Sequence, residues 1–150
     1  MKYQTNNELS HFSFRESFLH DIQVAQGFVL TLDNVHILPE NTCNRDIRLM
    51  RCNEMELHIL EPANLEVWEE GNRIYNADGK LMKQEEDRLI SKEEYKEVFT
   101  MLLEQEIYDI TQKGNQYEII VQGEEHGYVI RVEGSEDLET WDRFLNINSF

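Results

Sequence analysis

Metal or general-base chemistry needs imidazoles and carboxylates that converge on one side of a structure. His20-Asp21, followed by Asp33 and His36, supplies both groups. The alternation around them argues against convergence. Phe18, His20, Ile22 and Val24 alternate with Leu19, Asp21 and Gln23, the period of a strand, so His20 shares the apolar face and Asp21 points away. Asp33 takes the Asp21 face, and His36 has the opposite parity to Asp33. The expectation is a structural, hydrogen-bonded His20 and no catalytic residue.

His36, Cys43, Cys52 and His58 are all zinc-ligand types, but the gaps between them are six, eight and five residues. None is the short knuckle of a structural zinc site, so two reduced, partly buried thiols are expected and no metal ligand is assigned. Asn76, Asp78, Gly79 and Glu85 mimic part of a calcium loop, yet its first ligand position falls on Ile74, which cannot coordinate. Arg45, Arg48 and Arg51 are the one basic cluster. Arg48 and Arg51, with His58, are the ligand candidates the sequence offers an anionic small molecule, because guanidinium forks bind carboxylate and phosphate bidentately. No Gly-rich cradle lies beside them, so neutralising the protein's own carboxylates is the alternative role.

The nucleophile elbow, the phosphate loop, the dinucleotide fingerprint, Cys-x-x-Cys and His-Glu-x-x-His are all missing from the chain. The paired carboxylates Glu69-Glu70, Glu85-Glu86, Glu93-Glu94 and Glu124-Glu125 are adjacent in sequence, so their side chains diverge and read as solvated faces. No cofactor is implied, and the balance of motifs leans away from an enzyme.

The elements that must position these residues are strands first. A turn at Ala25-Gln26-Gly27 sets Ile22 opposite Leu30 and Val24 opposite Phe28. Further strands are expected at 46–52, 55–60 and 65–69, with Pro62-Ala63-Asn64 turning the last two, and a hairpin joins 73–75 to 80–82 through Asn76-Ala77-Asp78-Gly79. Lys83 to Arg88 reads as a connecting loop. Ser91 and Glu94 form a capping-box pattern, and Tyr95, Val98, Phe99, Leu102 and Leu103 make one helical stripe, predicting a helix over about 91–104. A meander follows, in which a Gly114-Asn115 turn sets Ile110 opposite Ile119 and Tyr108 opposite Val121. A second turn sets Val121 opposite Tyr128, Ile119 opposite Ile130 and Glu118 opposite Arg131. Ser135, Glu136 and Asp137 read as the start of a second helix, over about 135–146, with Leu138, Trp141, Phe144 and Leu145 on its apolar side. The expectation is α+β: a mostly antiparallel, bent or split sheet with two helices packed against it. It forms a single domain, 1–150, with a strand-rich half (1–83) and a half (90–147) of helix, meander and C-terminal helix.

Charge narrows the partners. The chain carries 14 basic and 30 acidic side chains, a net of −16, and residues 54–150 hold −15 of it (9 against 24). Such a surface repels phosphate backbones and anionic lipid, so neither nucleic acid nor membrane is expected as a partner. Residues 1–8 lack the apolar run of a secretory signal, and the cytoplasm is the expected compartment. The leading reading is a soluble, non-enzymatic interaction protein, of the immunity or inhibitor kind, whose acidic second half meets a basic protein. The alternatives are a small-molecule binder or enzyme with a pocket between sheet and helices, and a metal-binding protein. Either a monomer or a strand-paired homodimer is compatible with the pattern.

Overall fold

The computed structural model describes residues 1–148. The strands are β1 (Tyr3–Asn6), β2 (Phe12–Ser13), β3 (Phe18–Gln23), β4 (Phe28–Asp33), β5 (Val35–Ile37), β6 (Met50–Cys52), β7 (Met55–Leu60) and β8 (Ala63–Glu69). They continue with β9 (Arg73–Tyr75), β10 (Leu81–Gln84) and β11 (Arg88–Leu89), then one helix, α1 (Tyr95–Leu102). The last are β12 (Glu106–Lys113), β13 (Gln116–Gln122), β14 (Gly127–Glu133), β15 (Glu136–Trp141) and β16 (Leu145–Asn146). Ten strands form one antiparallel sheet in the order β1-β15-β7-β4-β3-β12-β13-β14-β8-β11; β16-β6-β5-β2 form a second sheet, and β9-β10 stand apart as an arm.

The expected α+β class with two helices is therefore wrong. The chain is 51% strand and 9% helical, with one short α-helix. Where the second helix was expected, over 135–146, the chain forms β15, a bend and β16. Asp137, Glu139 and Trp141 alternate inward from β15 and are all fully buried. Two of the three inward positions are acids, so a search for apolar alternation passes over the strand and finds an accidental helical stripe. The first helix contracts to a single 3₁₀ turn followed by α1. Ser91 Oγ donates to Glu94 Oε1 (3.1 Å) instead of capping a backbone N–H. Val98, Phe99 and Leu102 are buried, as the stripe requires.

Local turn chemistry set much of the remaining register correctly. Gly114 takes φ +63°, and Ile110 pairs with Ile119, Glu118 with Arg131, Ile119 with Ile130 and Val121 with Tyr128. One step differs, because a bulge in β12 puts Ile107 opposite Val121 and leaves Tyr108 exposed. Ile22 faces Leu30 as expected. β7 and β8 follow one another through Pro62 but are not neighbours: β7 lies between β15 and β4, and β8 between β14 and β11.

A flat sheet would hold β13 and β15 about 24 Å apart, five strand spacings. Yet Tyr117 Oη on β13 donates to Asp137 Oδ2 on β15 at 2.7 Å. The sheet therefore curls until its two five-stranded halves face each other. In the ladder, the halves meet at a single pair, Phe18 on β3 with Glu106 on β12. Leu19, Leu30, Leu57, Ile107, Ile119 and Ile130 lie fully buried in the core, each contributing about 1.5–3 kcal/mol of burial. An aromatic cluster ties the small sheet to the large one. Trp141 meets Phe12 edge-on (5.5 Å) and Phe144 (5.7 Å), and stacks on Tyr3 (5.8 Å). The large sheet ends in two short edges, β1 with four residues and β11 with two, which limits its reach as a template for another strand.

Candidate functional site

The first polar convergence is one that strand parity excludes. His20 is exposed, not on the apolar face, because β3 carries a bulge: Leu19 pairs with Leu32, Asp21 with Thr31, and His20 is left out of the ladder. Bulges re-aim a side chain in this way. His20 Nδ1 lies 2.8 Å from Glu104 Oε1 and 3.7 Å from Asp33 Oδ2. Donor atoms of all three side chains fall within 4.8 Å of one another, the one such group of three or more metal-ligand types among the described residues. The hydrogen bond to Glu104, then the charge of Asp33, holds the imidazole pKa above its usual value. Asp33 Oδ1 accepts the Glu54 N–H (2.9 Å), and the Glu104 N–H reaches the Leu19 carbonyl (2.6 Å). Asp21 and His36 stay out of the group, although parity sets Asp21, and not His20, on the Asp33 face. Asp21 accepts from Gln23, and His36 sits opposite Arg51 in the small sheet. Glu104 was beyond sequence reasoning, since it enters from the turn after α1, at φ +65°. Asp33 also lines a cleft of about 950 Å³, with Phe18, Asn34, Arg51, Asn53 and Arg143.

Of the sequence-derived ligand candidates, Arg48 and Arg51 meet at Asn146, and His58 lies elsewhere. Arg51 is buried and lines that cleft, donating through Nε to the Asn146 carbonyl (3.2 Å). Arg48 is exposed and donates to Asn146 Oδ1 (3.0 Å), so both arginines fasten β16. His58 lies on β7, beside Glu56 (3.1 Å), and does not line the cleft. The zinc candidates His36, Cys43, Cys52 and His58 are not gathered either. Burial lifts the Cys52 thiol to about 12, and the Cys43 thiol points to the Gln4 carbonyl (3.7 Å). The calcium mimic is a plain turn in which Asn76 Oδ1 accepts the Asp78 and Lys80 N–H groups.

Comparison with family models, curated proteins and solved structures finds no match to this chain.

The second distinctive surface is the arm. Every residue from 72 to 89 is exposed, including Ile74 (48%), Tyr75 (54%), Leu81 (44%) and Met82 (63%). Its base is held firmly. Gly71 N–H donates to Asp87 Oδ1 (2.9 Å), Glu85 N–H reaches the Asn72 carbonyl, and a Cβ on Gly71 would overlap the Glu85 carbonyl oxygen. Arg88 bridges Glu69 (3.3 Å) and Glu94 (3.2 Å). The rim is acidic. Glu85, Glu86 and Asp87 are exposed on the arm. The exposed pair Glu124-Glu125 precedes His126, whose Nδ1 donates to the Glu70 carbonyl (3.1 Å) at the arm's root.

A third group is buried. Tyr117 Oη donates to Asp137 Oδ2, and Thr5 Oγ1 (2.9 Å) and the Glu8 N–H (3.3 Å) both donate to Glu139 Oε1. The remaining oxygens, Asp137 Oδ1 and Glu139 Oε2, meet no donor among the described residues. A proton kept by Glu139 supplies one. Burial, then the hydrogen bond and charge of Asp137, push the Glu139 carboxyl up to about 9. No described cleft reaches this pair, which places it in the core's architecture.

Proposed function

We propose that this chain is a non-enzymatic interaction protein that binds a basic protein partner through the arm and its acidic rim. The observation that carries the reading is the run of exposed residues from 72 to 89, with five large apolar side chains among them, Leu89 being the fifth. A lone two-stranded hairpin is marginal in water, and large exposed apolar patches mark interaction surfaces. Carboxylates around the patch and a net charge of −16 favour a cationic partner and speed its approach. Neutralising a cationic toxin or nuclease, in the manner of an immunity protein, is one concrete form of this role. Among the described residues no helix is long and apolar enough to cross a membrane. Free Cys43 and Cys52 suit the reducing cytoplasm, where we place the protein.

The test is capture from lysate with the full chain and with a variant carrying Ile74→Ser, Tyr75→Ser, Leu81→Ser and Met82→Ser. The full chain should retain basic proteins at low salt and release them by about 0.3 M salt, where exposed charges are screened. The variant should retain none of them. Recovery of the same proteins by both chains, or of salt-insensitive acidic ones, overturns the reading.

A further inference from the structure

The cluster of His20, Asp33 and Glu104 is remote in sequence from the arm, and its charges do not balance. One imidazolium between two carboxylates leaves a net of −1, on a chain already at −16. A single ion pair with Glu104 would satisfy the imidazole. Bringing Asp33 in as well adds like-charge repulsion that a proton on His20 offsets only in part. A divalent cation facing a neutral imidazole and two carboxylates makes the sum zero.

We propose that His20 Nδ1, Asp33 Oδ2 and Glu104 Oε1 form a binding site for one divalent transition-metal ion of the zinc class. Donors bonded at about 2.1 Å to a tetrahedral ion sit about 3.4 Å apart. The separations from His20 are 2.8 and 3.7 Å, so shifts of under about 1 Å admit an ion at these two edges. One nitrogen and two carboxylate oxygens suit Zn²⁺, Co²⁺, Ni²⁺ and Mn²⁺, and with no thiolate the set does not select Cu(I). Each donor comes from a different segment and has its own support. The β3 bulge turns His20 outward, the Glu54 N–H fixes the second oxygen of Asp33, and the backbone bond to Leu19 anchors Glu104. Supports of this kind orient metal ligands. Three protein donors leave a coordination position open. Since Asp33 also lines the 950 Å³ cleft, the site adjoins that cleft through this one ligand.

The experiment is calorimetric titration of the reduced, chelator-treated full chain with Zn²⁺, paralleled by Co²⁺ read through its visible absorption. One equivalent of each should bind with micromolar affinity. His20→Ala, Asp33→Asn and Glu104→Gln should each weaken binding about tenfold or more. His58→Ala and Cys43→Ser should leave it unchanged. Thermal unfolding of the metal-free variants checks that each is folded, and Asp33→Asn keeps the oxygen that accepts from Glu54. A wild-type chain that takes up no Zn²⁺ at millimolar concentration overturns the site. So does binding that survives in the three cluster variants or vanishes with His58 or Cys43.

Discussion

The arm and β15 invert one another. On the arm, Ile74, Tyr75, Leu81 and Met82 face water while the chain around them has the pattern of an ordinary hairpin; on β15, Asp137 and Glu139 lie fully buried beside Trp141. Apolar side chains outside and acids inside both run against the usual partition, but for different reasons. The buried acids are reconciled by bonding: Tyr117, Thr5 and the Glu8 N–H serve them, and one shared proton removes a charge. The exposed apolar residues have no such compensation within the chain. An exception bonded inside the molecule is architecture, whereas one left unresolved at the surface is the feature on which the proposed partner binding rests.

The contrast is broken most directly at Asp137. Asp137→Ala strands the Tyr117 hydroxyl and the Glu139 carboxyl and should cost roughly 3 kcal/mol in urea unfolding. A loss under about 0.5 kcal/mol would mean the pair is not a structural network. Tyr117→Phe removes one donor and should cost about 1–2 kcal/mol. Stability should also depend on pH through Glu139. Its folded-state pKa, about 9, stands above the ordinary 4.5, so the folded chain holds a proton that the unfolded chain releases between those values. The contribution is complete below about 4.5 and is lost as pH rises through about 9. Melting temperature should fall across that window. Glu139→Gln, whose amide can donate to Asp137 while its carbonyl accepts from Thr5, should flatten the fall and come out more stable than wild type at pH 9. Parallel curves for the two proteins would remove the shared proton. The smallest effect belongs to the arm. Tyr75→Ser should change unfolding free energy by less than about 0.5 kcal/mol, while partner capture drops. A large loss of stability there would make the arm part of the core after all.

What the sequence revealed follows the same division. The 106–133 meander was legible because two turns and an apolar alternation agree, so Ile119 could be placed between Ile110 and Ile130 without coordinates. β15 was hidden because two of its three inward positions, Asp137 and Glu139, are acids, and polarity was the only guide to which way they point. His20 was misassigned because one bulge reverses parity, and nothing in Phe18 to Gln23 announces a bulge. The hairpin at 76–79 was readable from Asn76 and Gly79. Its exposure was not, since exposure depends on what the rest of the chain leaves uncovered. Arg51 was singled out, but its neighbours Asn53 and Arg143 reach the cleft through tertiary placement that spacing does not encode.

The place of β15 also bears on how the chain comes off the ribosome. It lies between β1 and β7, hydrogen-bonded to both, although both precede it far back in the sequence. A nascent chain that stops before Glu136 has two unsatisfied strand edges and lacks the Asp137 carboxylate that accepts from the Tyr117 hydroxyl. β1 and β7 must therefore wait, incompletely paired, for a strand made well after them to slot into the gap, which is the kind of long-range closure that makes folding slow and exposes edges to aggregation.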